Sequence, residues 1–223
     1  MILVKLTAKV VKILHICKVF CNFARNFSYM TLVFASNNAH KLAEVRAIMP
    51  VGIKVVSLRD IGFEQEIEET GITLEENSRI KAQTVSQWLK SHNSQQDIYG
   101  IFADDTGLEI EALQGAPGVY TARWAGEPAA NRMKALHELA GKKNRRAQFR
   151  TVVTLIRGEE IVQVEGVVRG QIAQAEYGQG GFGYDPVFIP EGYNKTFAEL
   201  PAEVKNSISH RARALANLVK ILR

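Results

Sequence analysis

The sequence predicts an α/β fold. From Met30 onward, short apolar runs of strand length alternate with stretches of helical periodicity. Phe149 to Arg157 and Ile161 to Arg169 alternate about Gly158-Glu-Glu and read as a hairpin. An amphipathic segment closes the chain.

The elements follow in order. Leu32 to Ala35 reads as a buried strand, and Ser36-Asn37-Asn38 as a polar turn of good helix caps. A helix follows, with Leu42, Val45, Ile48 and Met49 on one face. Lys41 sits in its first turn, where a cation opposes the helix dipole; an anion bound at that helix start would explain it. Residues 51–58 read as a second strand, and Glu64 to Glu69 as an acidic stretch ended by Thr70-Gly71. Thr73-Leu-Glu-Glu76 is a capping box. It opens a helix to about Lys90, with Ile80, Val85, Trp88 and Leu89 inward and Asn77 and Lys81 together on another face.

A polar loop from Ser91 to Asp97 leads to a strand, Tyr99 to Ala103, which runs into Asp104-Asp105-Thr106-Gly107 and continues through Leu108 to Leu113. Gly115-Ala-Pro-Gly118 is a turn, Tyr120 to Gly126 carries Arg123 and Trp124, and a helix spans about 128–140. The last helix starts near Pro201 and runs to the end. Arg211 falls on its apolar stripe of Val204, Ile208, Leu215, Leu218 and Leu222. A guanidinium cannot shed its proton, so a buried one needs a partner. That partner is either an internal carboxylate or a ligand acceptor.

Composition narrows the function. All of the net charge of +5 sits in residues 1–29, which contain five basic residues and no acid. From Met30 onward basic and acidic residues balance, so a nucleic-acid groove is not implied. No apolar run reaches transmembrane length. Both cysteines, Cys17 and Cys21, lie in the same segment, near His15. A closed zinc site needs four ligands, which argues against metal there. A body without cysteine suits a reducing cytoplasm. Residues 1–29 are read as an extension, with Met30 as the true start of the domain 30–223; a cleaved signal and a membrane-surface helix are the other readings.

The densest signal is Gly178-Gln-Gly-Gly-Phe182-Gly183-Tyr184-Asp185-Pro-Val-Phe188. It pairs bare backbone with a ring to stack and a carboxylate to accept an N–H, which suits a nucleobase. Gly178, Gly180 and Gly183 also match the dinucleotide fingerprint. That fingerprint must open a helix, whereas an extended, proline-punctuated stretch follows here. Asp104 and Asp105, with Glu68 and Glu69, supply hard oxygen ligands of the kind Mg²⁺ takes beside phosphates. Adjacent strand residues point to opposite faces, so one of the two aspartates should reach a given site.

These stretches resemble the inosine and xanthosine triphosphate pyrophosphatases. The matches are Ala35-Ser-Asn-Asn-Ala-His-Lys41, Glu68-Glu-Thr-Gly71, Ala103-Asp-Asp-Thr-Gly107, Gly115-Ala-Pro-Gly118, Gly180-Gly-Phe-Gly-Tyr-Asp-Pro186 and Ser209-His-Arg211, in family order. The resemblance implies an elongated mixed β-sheet with flanking helices, two lobes around a nucleotide cleft, and a homodimer. It implies Mg²⁺-dependent hydrolysis of ITP, dITP and XTP to the monophosphate and pyrophosphate. In that reading Ser36, Asn37, Asn38, Ala39, His40 and Lys41 hold the triphosphate, and Glu69 and Asp105 bind Mg²⁺. Asp105 also accepts the proton of the attacking water. Thr106 touches the substrate, Phe182 stacks on the purine beside Gly183, Tyr184 closes the pocket, and Asp185 accepts the ring N–H. Lys205, His210 and Arg211 line the base and phosphate side. His40 departs from the pattern, standing where glycine is frequent. Hydrolysis of other triphosphates and nucleotide sensing without hydrolysis are the competing readings.

Overall fold

The computed structural model describes residues 30–92 and 97–222; the extension 1–29, with Cys17 and Cys21, lies outside them. β1 (Met30–Phe34) leads into α1 (Ala39–Ile48) and β2 (Ile53–Ser57). α2 (Leu74–Ser91) precedes the long β3 (Gly100–Ile110), the short β4 (Pro117–Gly118) and α3 (Pro128–Glu138). β5 (Arg146–Arg157) and β6 (Glu160–Ile172) form the hairpin, and β7 (Phe188–Pro190) follows. α4 (Ala202–Ile208) and α5 (His210–Ile221) close the chain.

Seven strands form one mixed sheet in the order β2-β1-β3-β5-β6-β7, with β4 beside β3. β2, β1 and β3 are parallel, and β3, β5, β6 and β7 antiparallel. The parallel end is apolar on both sides because helices cover both sides. Leu32, Phe34, Phe102 and Val153 pack against Leu215 and Leu218 of α5, while Val33, Ala103 and Ile101 pack against Ala82 and Val85 of α2. A third cluster, at the antiparallel end, gathers Leu108, Phe149, Val168, Phe188 and Phe197 with Ala135 of α3. The site lies between these ends.

Local chemistry sets the boundaries. Asn38 caps α1 through Lys41 N, and Thr73 and Glu76 form the expected box on α2. The hairpin turns at Gly158, whose φ of 59° glycine adopts without the steric cost a Cβ would bring.

Two expectations are corrected. The last helix is two helices: Ser209 adopts φ −64°, ψ 161°, ends α4, and caps α5 by accepting from Ala212 N at 3.2 Å. Helical periodicity alone misses a break at which the serine supplies its own cap. On α2, Asn77 and Lys81 belong to the buried face, whereas Ile80, Trp88 and Leu89 are only half-buried. Polar partners waiting beneath the helix override the apolar pattern.

Candidate active site

Helix α1 begins the site. Ser36 Oγ accepts from Asn38 N at 3.3 Å, and Asn38 Oδ1 accepts from Lys41 N at 3.0 Å. Among the described residues the N–H groups of Ala39 and His40 have no acceptor, so this helix start still offers donors and the positive end of its dipole. Lys41 Nζ reaches Asp104 Oδ1 at 3.0 Å. One turn on, Glu44 accepts from Lys205 Nζ at 2.7 Å and from Arg211 Nη1.

Strand alternation separates the two aspartates. Asp104 faces α1 and α5, where Arg211 grips its Oδ2 through Nε at 3.1 Å and Nη2 at 3.0 Å. Burial would raise the Asp104 carboxyl, but Lys41 and Arg211 outweigh it and hold the group well below the usual carboxylate range. Arg211, at 1% exposure, therefore has the internal carboxylate partner that the sequence left open. Asp105 faces α2. Lys81 Nζ bridges Asp105 Oδ1 at 3.2 Å and Glu69 Oε1 at 3.0 Å. Asp105 Oδ2 is buried with no partner among the described residues. Burial raises the Asp105 carboxyl, and Lys81 and Lys41 offset this only in part. Glu69 sits on irregular chain. Downstream of it, Gly71 N donates to Asn77 Oδ1 at 2.8 Å and Ile72 N to Glu76 Oε2 at 2.7 Å, tying that stretch to α2.

The glycine-rich segment folds around Asp185. Asp185 Oδ2 accepts from Phe182 N at 2.7 Å and from Lys205 Nζ. A Cβ at Gly181 would sit 2.0 Å from that same oxygen, so the closure requires glycine there. Burial raises the Asp185 carboxyl despite Lys205. The Gly183 carbonyl accepts from Arg132 of α3 at 3.0 Å, and Tyr184 OH donates to Thr121 O at 3.2 Å. Thr106 Oγ1 lies 2.7 Å from Thr151 Oγ1.

The break at Ser209 turns Lys205 and the start of α5 toward one space. His210 is buried, stacks on Phe149 at 4.6 Å between centroids, and leaves Nδ1 without a partner among the described residues. Burial, then Arg211 and Lys205, hold its imidazole well below its ordinary value, so it is neutral.

Most of these groups line one cleft of about 690 Å³; Glu44 and Asp104, which pair with its cations, do not. Every site residue expected from sequence lies on it except Ala39, which offers backbone alone. Lys81, Glu44, Arg132 and the wall from Val119 to Asn131 were not anticipated as site residues. Glu44 carries a readable trace, an acid one turn from Lys41; the wall carries none, since tertiary folding alone brings it there. A larger groove of about 920 Å³, lined by residues such as Glu109, Gln148 and Arg169, contains none of the expected residues.

Among the described residues, no three His, Cys, Asp or Glu side chains converge as a metal cage. A Mg²⁺ site does not require one, because phosphates and water complete its octahedron. Glu69 and the unpartnered oxygen of Asp105 fit that partial donor set.

A model of the Ham1 family matches residues 32–221. The chain belongs to the Ham1 family. Its relatives include the dITP/XTP pyrophosphatase of Flavobacterium johnsoniae, 46% identical over 197 residues, covering 86% of this chain and 98% of that protein. The enzyme of the same name from Bacillus subtilis is 48% identical, covering 85% and 96%. Among solved structures, the Ham1 protein of Staphylococcus aureus superposes with a TM-score of 0.74 at 38% identity, covering 86% of this chain and 97% of that one. The nucleoside-triphosphatase / dITP/XTP pyrophosphatase of Mycobacterium abscessus gives 0.65 at 41% identity, covering 85% and 99%. The mixed α/β sheet is thus the Ham1 fold.

Proposed function

We propose that this Ham1 protein hydrolyses 6-keto purine nucleoside triphosphates, ITP, dITP and XTP, to the monophosphate and pyrophosphate. One observation supports this most: a single cleft joins a donor-rich helix start, a buried carboxylate with a free oxygen, and an aromatic plate beside a buried Asp. The names of the relatives agree with it.

In this reading the open N–H groups of α1, Lys41 and Lys81 receive the triphosphate. Mg²⁺, held by Glu69 and Asp105, would screen phosphate charge and help the pyrophosphate leave. Asp105 orients the attacking water toward the α-phosphorus and takes its proton. Phe182 carries the base. Asp185 accepts from the N–H at position 1 through Oδ1, since Oδ2 is already engaged. Arg211 spends three donors on Asp104 and Glu44, which makes the unpartnered Nδ1 of His210 the better donor to the 6-keto oxygen. Adenine reverses both polarities and would leave these buried groups unpaired. A homodimer and a cytoplasmic location complete the reading. No described helix is long and apolar enough to cross a membrane.

The test is pyrophosphate release from ITP, XTP, GTP and ATP, with and without Mg²⁺, by the wild type and Asp105→Asn. The expected result is Mg²⁺-dependent turnover of ITP and XTP, on the order of 10⁴ above ATP, and lost in the variant. ITP binding without any turnover would replace hydrolysis with sensing.

A further inference from the structure

Among the described residues, three cationic or ring-bearing side chains stand against the ring of Phe182. Lys205 Nζ lies 4.8 Å and Arg211 Cζ 5.8 Å from its centroid, and both cations are already committed to carboxylates. The third is His40. Its imidazole lies 5.4 Å from Phe182 between centroids, with the planes only 16° apart. His40 is exposed and makes no side-chain hydrogen bond among the described residues. The fold therefore has no visible need of this ring. It stands parallel to the plate that the proposed function assigns to the base, on the helix whose start that reading gives to phosphate.

We propose that His40 is a second stacking residue: the purine slides between its imidazole and the ring of Phe182. The proposal rests on the reading that Phe182 carries the base. Aromatic planes approach to about 3.5 Å, so an inserted base needs about 7 Å between the two rings. An exposed side chain on the first turn of α1 can supply that by rotating about χ1 and χ2 while the helix stays in place. Helix α1 then contacts both ends of the nucleotide, phosphate through its open N–H groups and Lys41, base through His40. Stacking does not read polar edges. His40 thus adds affinity for ITP and XTP alike and leaves selection to Asp185 and His210.

The experiment measures the Kd of the non-hydrolysable α,β-imido analogue of ITP and the Ki of inorganic tripolyphosphate. The proteins are the wild type, His40→Ala, His40→Phe and Phe182→Ala. His40→Ala should weaken the analogue about five- to twentyfold, the scale of losing one aromatic face. His40→Phe should restore it, and tripolyphosphate, which has no base, should inhibit all four equally. Unchanged or tighter analogue binding in His40→Ala overturns the proposal, because the imidazole would then be a bystander or a cover that the base displaces. Equal weakening of tripolyphosphate also overturns it, by making His40 a phosphate ligand. If Phe182→Ala binds the analogue normally, the base does not lie on Phe182 and both readings fall. If Phe182→Ala weakens binding and His40→Ala does not, only the role of His40 falls.

Discussion

His210 shows how environment sets what a residue can do. Buried against Phe149 and beside two cations, it stays neutral where an ordinary histidine would begin to charge. The sign of the stability effect follows. Because the folded-state affinity for protons is depressed, the unfolded chain binds more protons just below the ordinary histidine pKa of about 6.5. The contribution of His210 is full above that value and fades as pH falls toward the folded pKa. As pH falls from about 6.5 to about 5.5 the protein should lose stability through this group. Urea unfolding across this range should show a shallower decline for His210→Gln than for the wild type. Much at this scale was legible from sequence, since Asp105, Asp185 and Lys41 carry charge that needs a reason. The division of labour between Asp104 and Asp105 followed from strand alternation. What each aspartate binds did not, because Lys41, Lys81 and Arg211 reach them from three different helices.

At the level of elements, α5 depends on a glycine in the sheet. A Cβ on Gly166 of β6 would fall 2.2 Å from Ala214 N and 2.2 Å from His210 O. Backbone lies against backbone there, so neither partner can yield by changing a rotamer. Gly166→Ala should push α5 off the sheet, destabilise the protein by about 1–3 kcal/mol, and raise KM for ITP by displacing His210 and Arg211. Thermal unfolding and steady-state kinetics on the same sample check both effects. β1, β2, β3, β5 and β6, the capping box and the hairpin were readable because each is set by local periodicity or turn chemistry; β4, inside a stretch read as a turn, and β7 are too short to show a period. The two-helix ending was not. Residues 202–221 keep one apolar stripe across the break, and periodicity cannot register a single extended residue.

Over the whole molecule, the apolar clusters at both ends of the sheet draw on residues 30–222. A chain starting at Met30 is therefore expected to fold, to run in light scattering at about twice its own mass if the homodimer holds, and to keep kcat for ITP within about twofold. A truncated protein that is monomeric or inactive would make residues 1–29 part of the working unit. The order of the sheet was not available from local pattern, because β3 meets β1 on one side and β5 on the other across long stretches of sequence. The ammonium of Lys81 between Glu69 and Asp105 has a consequence for order of arrival. A solitary divalent ion meets a carboxylate pair that already has a counter-ion, and must evict it. An ion that arrives on a triphosphate brings oxygens that can receive the evicted ammonium. The free protein should thus be a poor cation trap, and the enzyme should take up metal and nucleotide as a single passenger.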